Sequence, residues 1–438
     1  MEFIIPLHCR NLLKLLLFLT ILHHVPHSTT SLDLLPKEAL PTKSGYLEVN
    51  STTGSALFYT YYEAQKPTTP LSQTPLLIWL QGGPGCSSML GNFYELGPWL
   101  VTSNVSVKHN PGAWNRIFGV LFIDNPIGTG FSIAASLQEI PRNQHDVAKH
   151  LFIAIKKFIK LDDMFKTRPI YVTGESYAGK YVPALGYYIL KKNAILPVSS
   201  RVNLAGVAIG KGLTDPATQT ATYAVNAYYS GFINDKQKKI LENLQKKAVE
   251  LTQIGNWTQA SNARDTVVQT LLDMTGFVSV YDFRRLVPYQ DYLVAEFLTN
   301  MEVKKALGAK ENIVFEACSD VVEDALTEDI MKSVRYMVDY LVRETKVLLY
   351  QGQCDMLLNV VSNEAWIKKL KWARQREFME ADRKVWRVNE TSAGSVQKFE
   401  KLSHVVVLNA GHLVPADQPL NSQAMIEDWV LDRGLFAD

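Results

Sequence analysis

Two short runs that are apolar but for the closing Asp124, PLLIWL at residues 75–80 and GVLFID at residues 119–124, constrain this chain more than any other feature. Neither alternates apolar with polar residues. Each therefore reads as a strand buried on both faces, as in sheets covered on both sides. The first run ends in the tight turn GGPG (82–85), with a short helix predicted through Leu96. The second leads into the loop NPIGTGFS (125–132) and then into residues 144–161. There Val147, Leu151, Phe152, Ile155, Phe158 and Ile159 fall on one helical stripe. A strand ending at Thr173, a helix over residues 177–191 and the strand VNLAGVAIG (202–210) continue the alternation. Such a sequence of elements predicts an α/β fold with a mostly parallel central sheet and helices on both faces.

The pattern breaks after Gly212. Residues 213–320 contain no run that reads as a buried strand. Helical segments, such as DKQKKILENLQKKAVEL (235–251) and one over residues 266–274, stand there instead. This stretch is expected to be an inserted, mainly helical cap between two parts of the core, residues 31–212 and 321–438. The alternation resumes with a helix over residues 328–343 and the strand VLLY (347–350). After them come a hairpin or loop within residues 372–400, the strand VVVLN (405–409) and a closing helix near residues 422–431.

The N-terminus differs in kind. Residues 11–25 are apolar, follow Arg10 and give way to the polar HSTTS (27–31). That layout is short for a membrane span and reads as a secretory signal peptide over residues 1–30. An uncleaved signal anchor is the competing reading. Either way the rest of the chain enters the secretory pathway, bound for the extracellular space or a vacuolar, lysosome-like compartment. Removing the segment discards Cys9 and leaves Cys86, Cys318 and Cys354, hence at most one intramolecular bridge and one free thiol. Asn50, Asn104, Asn256 and Asn389 each begin a glycosylation triplet. A net charge of +2, without a basic cluster interleaved with aromatics, speaks against nucleic-acid binding. No metal-ligand cluster or cofactor motif is read, and GPGCSS lacks the lysine of a phosphate-binding loop.

The stretch YVTGESYAG (171–179) sets Ser176 between a strand and a helix, with small residues nearby. The serine is either a nucleophile on a sharp turn or a helix N-cap. A nucleophile needs a base and an orienting acid. Among the histidines, His412 stands just beyond a late buried strand, at the carboxyl edge where sites of parallel sheets collect. Asp355 stands just beyond VLLY in the same way. The chain order Ser176, Asp355, His412 is that of α/β-hydrolases. The backbone N–H groups of Tyr177 and Gly83 are the candidate oxyanion donors. Ala178 occupies the second small position of the nucleophile turn, a variant that still allows close packing.

Together WLQGGPGCSS (79–88), FYELGP (93–98), NPIGTGFS, GESYAG, GQCD and AGHLVPADQP, in this order, resemble the serine carboxypeptidases, the family of cathepsin A, carboxypeptidase Y and plant serine carboxypeptidase-like proteins. The resemblance implies an α/β-hydrolase with a helical cap that removes single residues from peptide C-termini through an acyl-enzyme. It also implies that Gln81, Glu95 and Glu175 form a hydrogen-bonded cluster reading the substrate carboxylate. Two carboxyls and a substrate carboxylate cannot all be ionised in close contact, so shared protons and activity favoured at acid pH are expected. A bridge between Cys86 and Cys318 is implied as well.

The sequence departs from the family at Gln81, where asparagine is usual, and at GQCD, where GDxD is usual. It also has no cysteine between Gly212 and Lys310, so its cap lacks the internal disulfides of many relatives and is expected to be more mobile. An acyltransferase of the same family is the enzymatic alternative, although Glu175 favours hydrolysis because those enzymes often carry aspartate there. A general esterase would not need the carboxylate cluster. A non-catalytic binding homologue is the third class, with the altered GQCD segment in its favour and the intact triad residues against it.

Overall fold

The computed structural model describes residues 34–437. The segment read as a signal peptide lies outside them. The strands in chain order are β1 (Lys43–Asn50), β2 (Ser55–Tyr62), β3 (Leu76–Leu80), β4 (Trp99–Val101), β5 (Val107–His109) and β6 (Gly119–Ile123). They continue with β7 (Ile170–Glu175), β8 (Leu204–Gly210), β9 (Lys346–Gly352), β10 (Lys384–Val388), β11 (Thr391–Phe399) and β12 (Leu402–Val407). Ten of them form one sheet in the order β1-β2-β6-β3-β7-β8-β9-β12-β11-β10, and β4 pairs with β5 in a small ribbon. His109 closes the second strand of that ribbon.

The run from β6 to β12 is parallel throughout, with antiparallel hairpins at both edges. Every residue of β3 and β6 is buried, as their unbroken apolar character requires. The β1–β2 hairpin was not read from the sequence. Its inner strand is fully buried yet carries Tyr59, Thr60, Tyr61 and Tyr62, whose polar atoms blur the hydrophobic signal.

Helix α1 (Gln144–Ile159) is capped by Asn143, whose side chain accepts from the Asp146 N–H. It buries Val147, Leu151, Ile155 and Phe158 of the predicted stripe. Helix α2 (Ala178–Asn193) follows β7. The segment between β8 and β9 is helical and contains no strand. Its longest helices are α3 (Asp235–Gln253), opened by a capping box of Asn234 and Gln237, and α4 (Trp257–Thr275), which extends well beyond the predicted residues 266–274. The helix predicted over residues 328–343 is in fact two, α5 (Asp320–Ile330) and α6 (Arg335–Glu344). The chain turns between them because Asp329 is drawn inward to Lys180 and Tyr177, while the Val334 N–H donates to the Thr214 carbonyl at 3.0 Å. Helix α7 (Pro419–Val430) closes the fold.

Asp124, at the end of β6, binds two of the quoted motifs together. It accepts from the Ser87 hydroxyl at 2.6 Å, the Ser88 N–H at 2.9 Å and the Phe131 N–H at 2.9 Å. Burial pushes its carboxyl up to about 6 despite these donors. The turn after β3 is thus fixed against the loop after β6.

Candidate active site

Ser176 has φ 61°, a left-handed conformation that costs an ordinary residue about 1–2 kcal/mol. The surrounding backbone holds it there. The Ser176 N–H donates to the Gly210 carbonyl at 3.0 Å, and the Ser176 carbonyl accepts from the N–H groups of Gly179 and Leu213 at 2.9 Å each. The end of β8 therefore pins the turn that joins β7 to α2. Gly82 makes the neighbouring approach possible, since a Cβ there would sit 2.6 Å from the Tyr177 nitrogen and 2.8 Å from the Ser176 Cβ. The serine is partly exposed, and its hydrogen bonds run through the backbone rather than as a side-chain cap.

His412 and Asp355 meet from two different strand ends. His412 Nδ1 lies 2.6 Å from Asp355 Oδ2, with both side chains buried. Asp355 Oδ1 accepts from the N–H groups of Leu357 and Leu358 at 2.9 and 3.1 Å, so the carboxylate cannot turn away. The segment after α4 braces the pair. The His412 N–H donates to the Tyr281 carbonyl at 2.7 Å, and the Met356 N–H donates to the Val280 carbonyl at 2.9 Å. The Tyr281 ring lies against the imidazole, centroids 4.6 Å apart. Tyr281 was not read from the sequence, because nothing local in VYDFRR (280–285) marks contact with a residue so distant in the chain.

Ser176 and His412 line a cavity of about 210 Å³ together with Gly83, Gln81, Glu95 and Glu175. Trp79 sets the orientation of the Gln81 amide. The indole N–H, a donor only, donates to Gln81 Oε1 at 2.8 Å, which turns the NH₂ toward the acids. That NH₂ donates to Glu95 Oε1 at 3.3 Å and to Glu175 Oε1 at 2.9 Å. Both carboxyls thus share the one Gln81 amide group. Burial first, then the charge of Glu175, holds the Glu95 carboxyl well above the usual carboxylate range. Glu95 Oε2 is buried with no hydrogen-bond partner among the described residues.

The cluster has a fourth member that the sequence reading missed. Lys211, fully buried, places its ammonium 2.7 Å from Glu175 Oε2 and 5.3 Å from the Tyr350 ring centroid. A signal was present, since a lysine directly after the buried strand VNLAGVAIG cannot easily avoid the carboxyl edge of the sheet.

The Tyr177 side chain is anchored away from the cavity. Its hydroxyl donates to Asp329 Oδ2 at 2.7 Å and accepts from Gln144 Nε2 at 3.3 Å. Gly83 has φ 107° and stands in the turn after β3. Cys86 and Cys318 are joined by a disulfide that borders the same cavity. Cys354 is a free, buried thiol, pushed up to about 11 by desolvation. Of the glycosylation triplets, Asn104, Asn256 and Asn389 are exposed. Asn50 is partly buried and donates through Nδ2 to Glu139 at 3.3 Å.

Residues 35–432 match a family described as serine carboxypeptidase. Serine carboxypeptidase-like 50 of Arabidopsis thaliana is 53% identical over 423 residues, covering 96% of this chain and 94% of the relative. The probable serine carboxypeptidase CPVL of Homo sapiens is 34% identical over 403 residues, 89% of this chain and 83% of that protein. Among solved structures, Kex1(delta)p, a prohormone-processing carboxypeptidase from Saccharomyces cerevisiae, superposes with a TM-score of 0.81 at 26% identity. The match covers 90% of this chain and 92% of that one.

Proposed function

The chain belongs to the serine carboxypeptidase family and is a serine-type carboxypeptidase acting on peptides; from that premise we propose that Ser176, His412 and Asp355 release C-terminal residues through an acyl-enzyme. Ser176 Oγ attacks the carbonyl of the last peptide bond as His412 takes the hydroxyl proton, and Asp355 keeps the imidazole in the tautomer that can accept it. The oxyanion is held by the backbone N–H groups of Gly83 and Tyr177, each such donor contributing about 3–4 kcal/mol to the transition state. His412 returns the proton to the leaving amine. Water then attacks the acyl-enzyme by the reverse path.

The juxtaposition that carries this reading is the cavity in which Ser176 and His412 stand beside Gln81, Glu95 and Glu175. A free substrate carboxylate would receive the Glu95 proton at the unpartnered Oε2, while Gln81 gives its two N–H bonds to Glu95 and Glu175 and so holds the reader in place. Because burial and Glu175 favour the protonated form of Glu95, the reader is complete at acid pH and loses its proton donor as the pH rises. A vacuolar or extracellular site of action fits this preference, the apolar N-terminal segment and the disulfide. No helix of the described residues is long and apolar enough to cross a membrane.

The test compares a blocked dipeptide bearing a free C-terminus with its C-terminal amide, from about pH 4 to about pH 8. Wild type and Ser176→Ala are run together. The expected result is preference for the free acid, strongest at low pH and abolished in the variant. Equal cleavage of acid and amide would remove the carboxylate reader. A protein whose Ser176 labels with a fluorophosphonate but cleaves neither would overturn the reading.

A further inference from the structure

A second cavity, of about 290 Å³, shares Gly83, Ser176 and Tyr281 with the first. A peptide whose last residue occupies the first cavity presents its penultimate side chain to the second; this direction rests on the carboxypeptidase reading above. The second cavity has apolar walls from Leu213, Val268, Leu357 and Leu358, with Arg264 of α4 among them.

Arg264 is the unusual member. Its side chain is only 15% exposed, and its Nε is buried without a hydrogen-bond partner among the described residues. The ion pair it makes is loose, 3.6 Å to Asp265 Oδ1, and the Asp265 side chain is itself 67% exposed. The other acid of this cavity, Glu323, is exposed as well. Arg264 is thus a permanent charge, largely removed from water, with the Tyr223 hydroxyl as a hydrogen-bonding neighbour; the acids near it among the described residues are solvated. Burying a charge without a close partner is unfavourable, and the usual resolution is a charge-assisted bond to an anion. Asp265 and Glu323 also offer attraction to a cation, but from a wet rim, where such attraction is weak and screened.

We infer that Arg264 reads the residue on the acyl side of the cleaved bond, and that this cavity selects a carboxylate-bearing side chain of glutamate length. The selection arises because the incoming carboxylate supplies an acid partner inside the cavity, beyond the Tyr223 hydroxyl and the solvated Asp265, while its methylenes lie along the apolar walls.

The test uses four small ligands, the α-amides of N-acetyl glutamate, glutamine, leucine and lysine. Each is assayed for protection of Ser176 against a fluorophosphonate. Hydrolysis of blocked dipeptides with the same residues at the penultimate position is measured alongside. In the wild type the glutamate ligand is expected to protect at about tenfold lower concentration than the leucine ligand, the scale of one charge-assisted bond. In Arg264→Met that advantage is expected to fall to about twofold or less, and Arg264→Lys to keep part of it. A wild type that ranks lysine or leucine first, or an Arg264→Met enzyme that keeps the wild-type ranking, overturns the inference. Should Arg264→Met fail to fold, the wild-type ranking decides alone. Glutamate protection that depends on Arg264, without hydrolysis of any dipeptide, would uphold this cavity's assignment while removing the carboxypeptidase mechanism.

Discussion

Lys211 changes the charge of the carboxylate cluster. With the ammonium 2.7 Å from Glu175 and both side chains without exposed surface, the pair is neutral as a unit, and the proton of the site belongs to Glu95. Removing one partner of a buried pair typically costs about 3–5 kcal/mol, because the other charge is left uncompensated. We predict a loss of that order for Lys211→Met. Urea midpoints of the two proteins would check this, and a midpoint unchanged in the variant would refute it. Glu95 has a matching functional prediction. Its folded carboxyl lies above the ordinary range, so the donor it offers is present at low pH and is lost as the pH rises through the folded value. The KM for free-acid peptides should therefore climb with pH in the wild type. In Glu95→Gln, whose amide donates at every pH, the climb should be much flatter. An equal climb in both enzymes would exclude Glu95 as the titrating group.

At the scale of elements, the site depends on how closely α2 can approach the end of β8. A Cβ on Gly179 would stand 2.4 Å from the Gly212 Cα and 2.5 Å from the Leu213 nitrogen, all backbone atoms that cannot rotate aside. Gly179→Ala is predicted to cost about 1–3 kcal/mol, the usual range for overpacking, and to lower kcat by shifting the serine turn. A urea midpoint equal to that of the wild type would show that the backbone yields without cost. The same contact explains what the sequence could reveal. Ser176, Asp355 and His412 were legible because each follows a buried strand whose apolar run is plain in the sequence, and parallel strands deliver their ends to one edge. Gln81, Glu95 and Glu175 were legible only through resemblance, since bonds spanning 14 and 94 residues leave no periodic trace. Lys211 was overlooked because its neighbouring glycines read as an ordinary strand end. The break between α5 and α6 was illegible for a related reason. Apolar spacing continues across residues 331–334, and contacts far off in the chain stop the helix, the inward pull on Asp329 and the bond from the Val334 N–H to Thr214.

At the scale of the whole molecule, the reader and the nucleophile sit on the sheet, but one wall of their cavity is tied to a segment far along the chain. The bond between Cys86 and Cys318 spans 232 residues and fastens the turn after β3 to the residues that open α5. Two backbone hydrogen bonds flank it, from the Ser87 N–H to the Ala317 carbonyl at 2.8 Å and from the Ser319 N–H to the Gly85 carbonyl at 2.9 Å. A cross-link closing so long a loop removes much freedom from the unfolded chain, and disulfides typically contribute about 2–4 kcal/mol. The Cys86→Ala/Cys318→Ala double variant is therefore predicted to lose stability on that scale. Because both cysteines border the cavity that holds the carboxylate cluster, its KM for free-acid peptides should rise by more than its kcat falls. The flanking backbone bonds should keep the variant folded at moderate temperature. Mass spectrometry first verifies the bridge in the wild type, and urea midpoints then compare the two proteins. A variant as stable as the wild type would mean that those two hydrogen bonds, and the packing around them, already hold the wall in place.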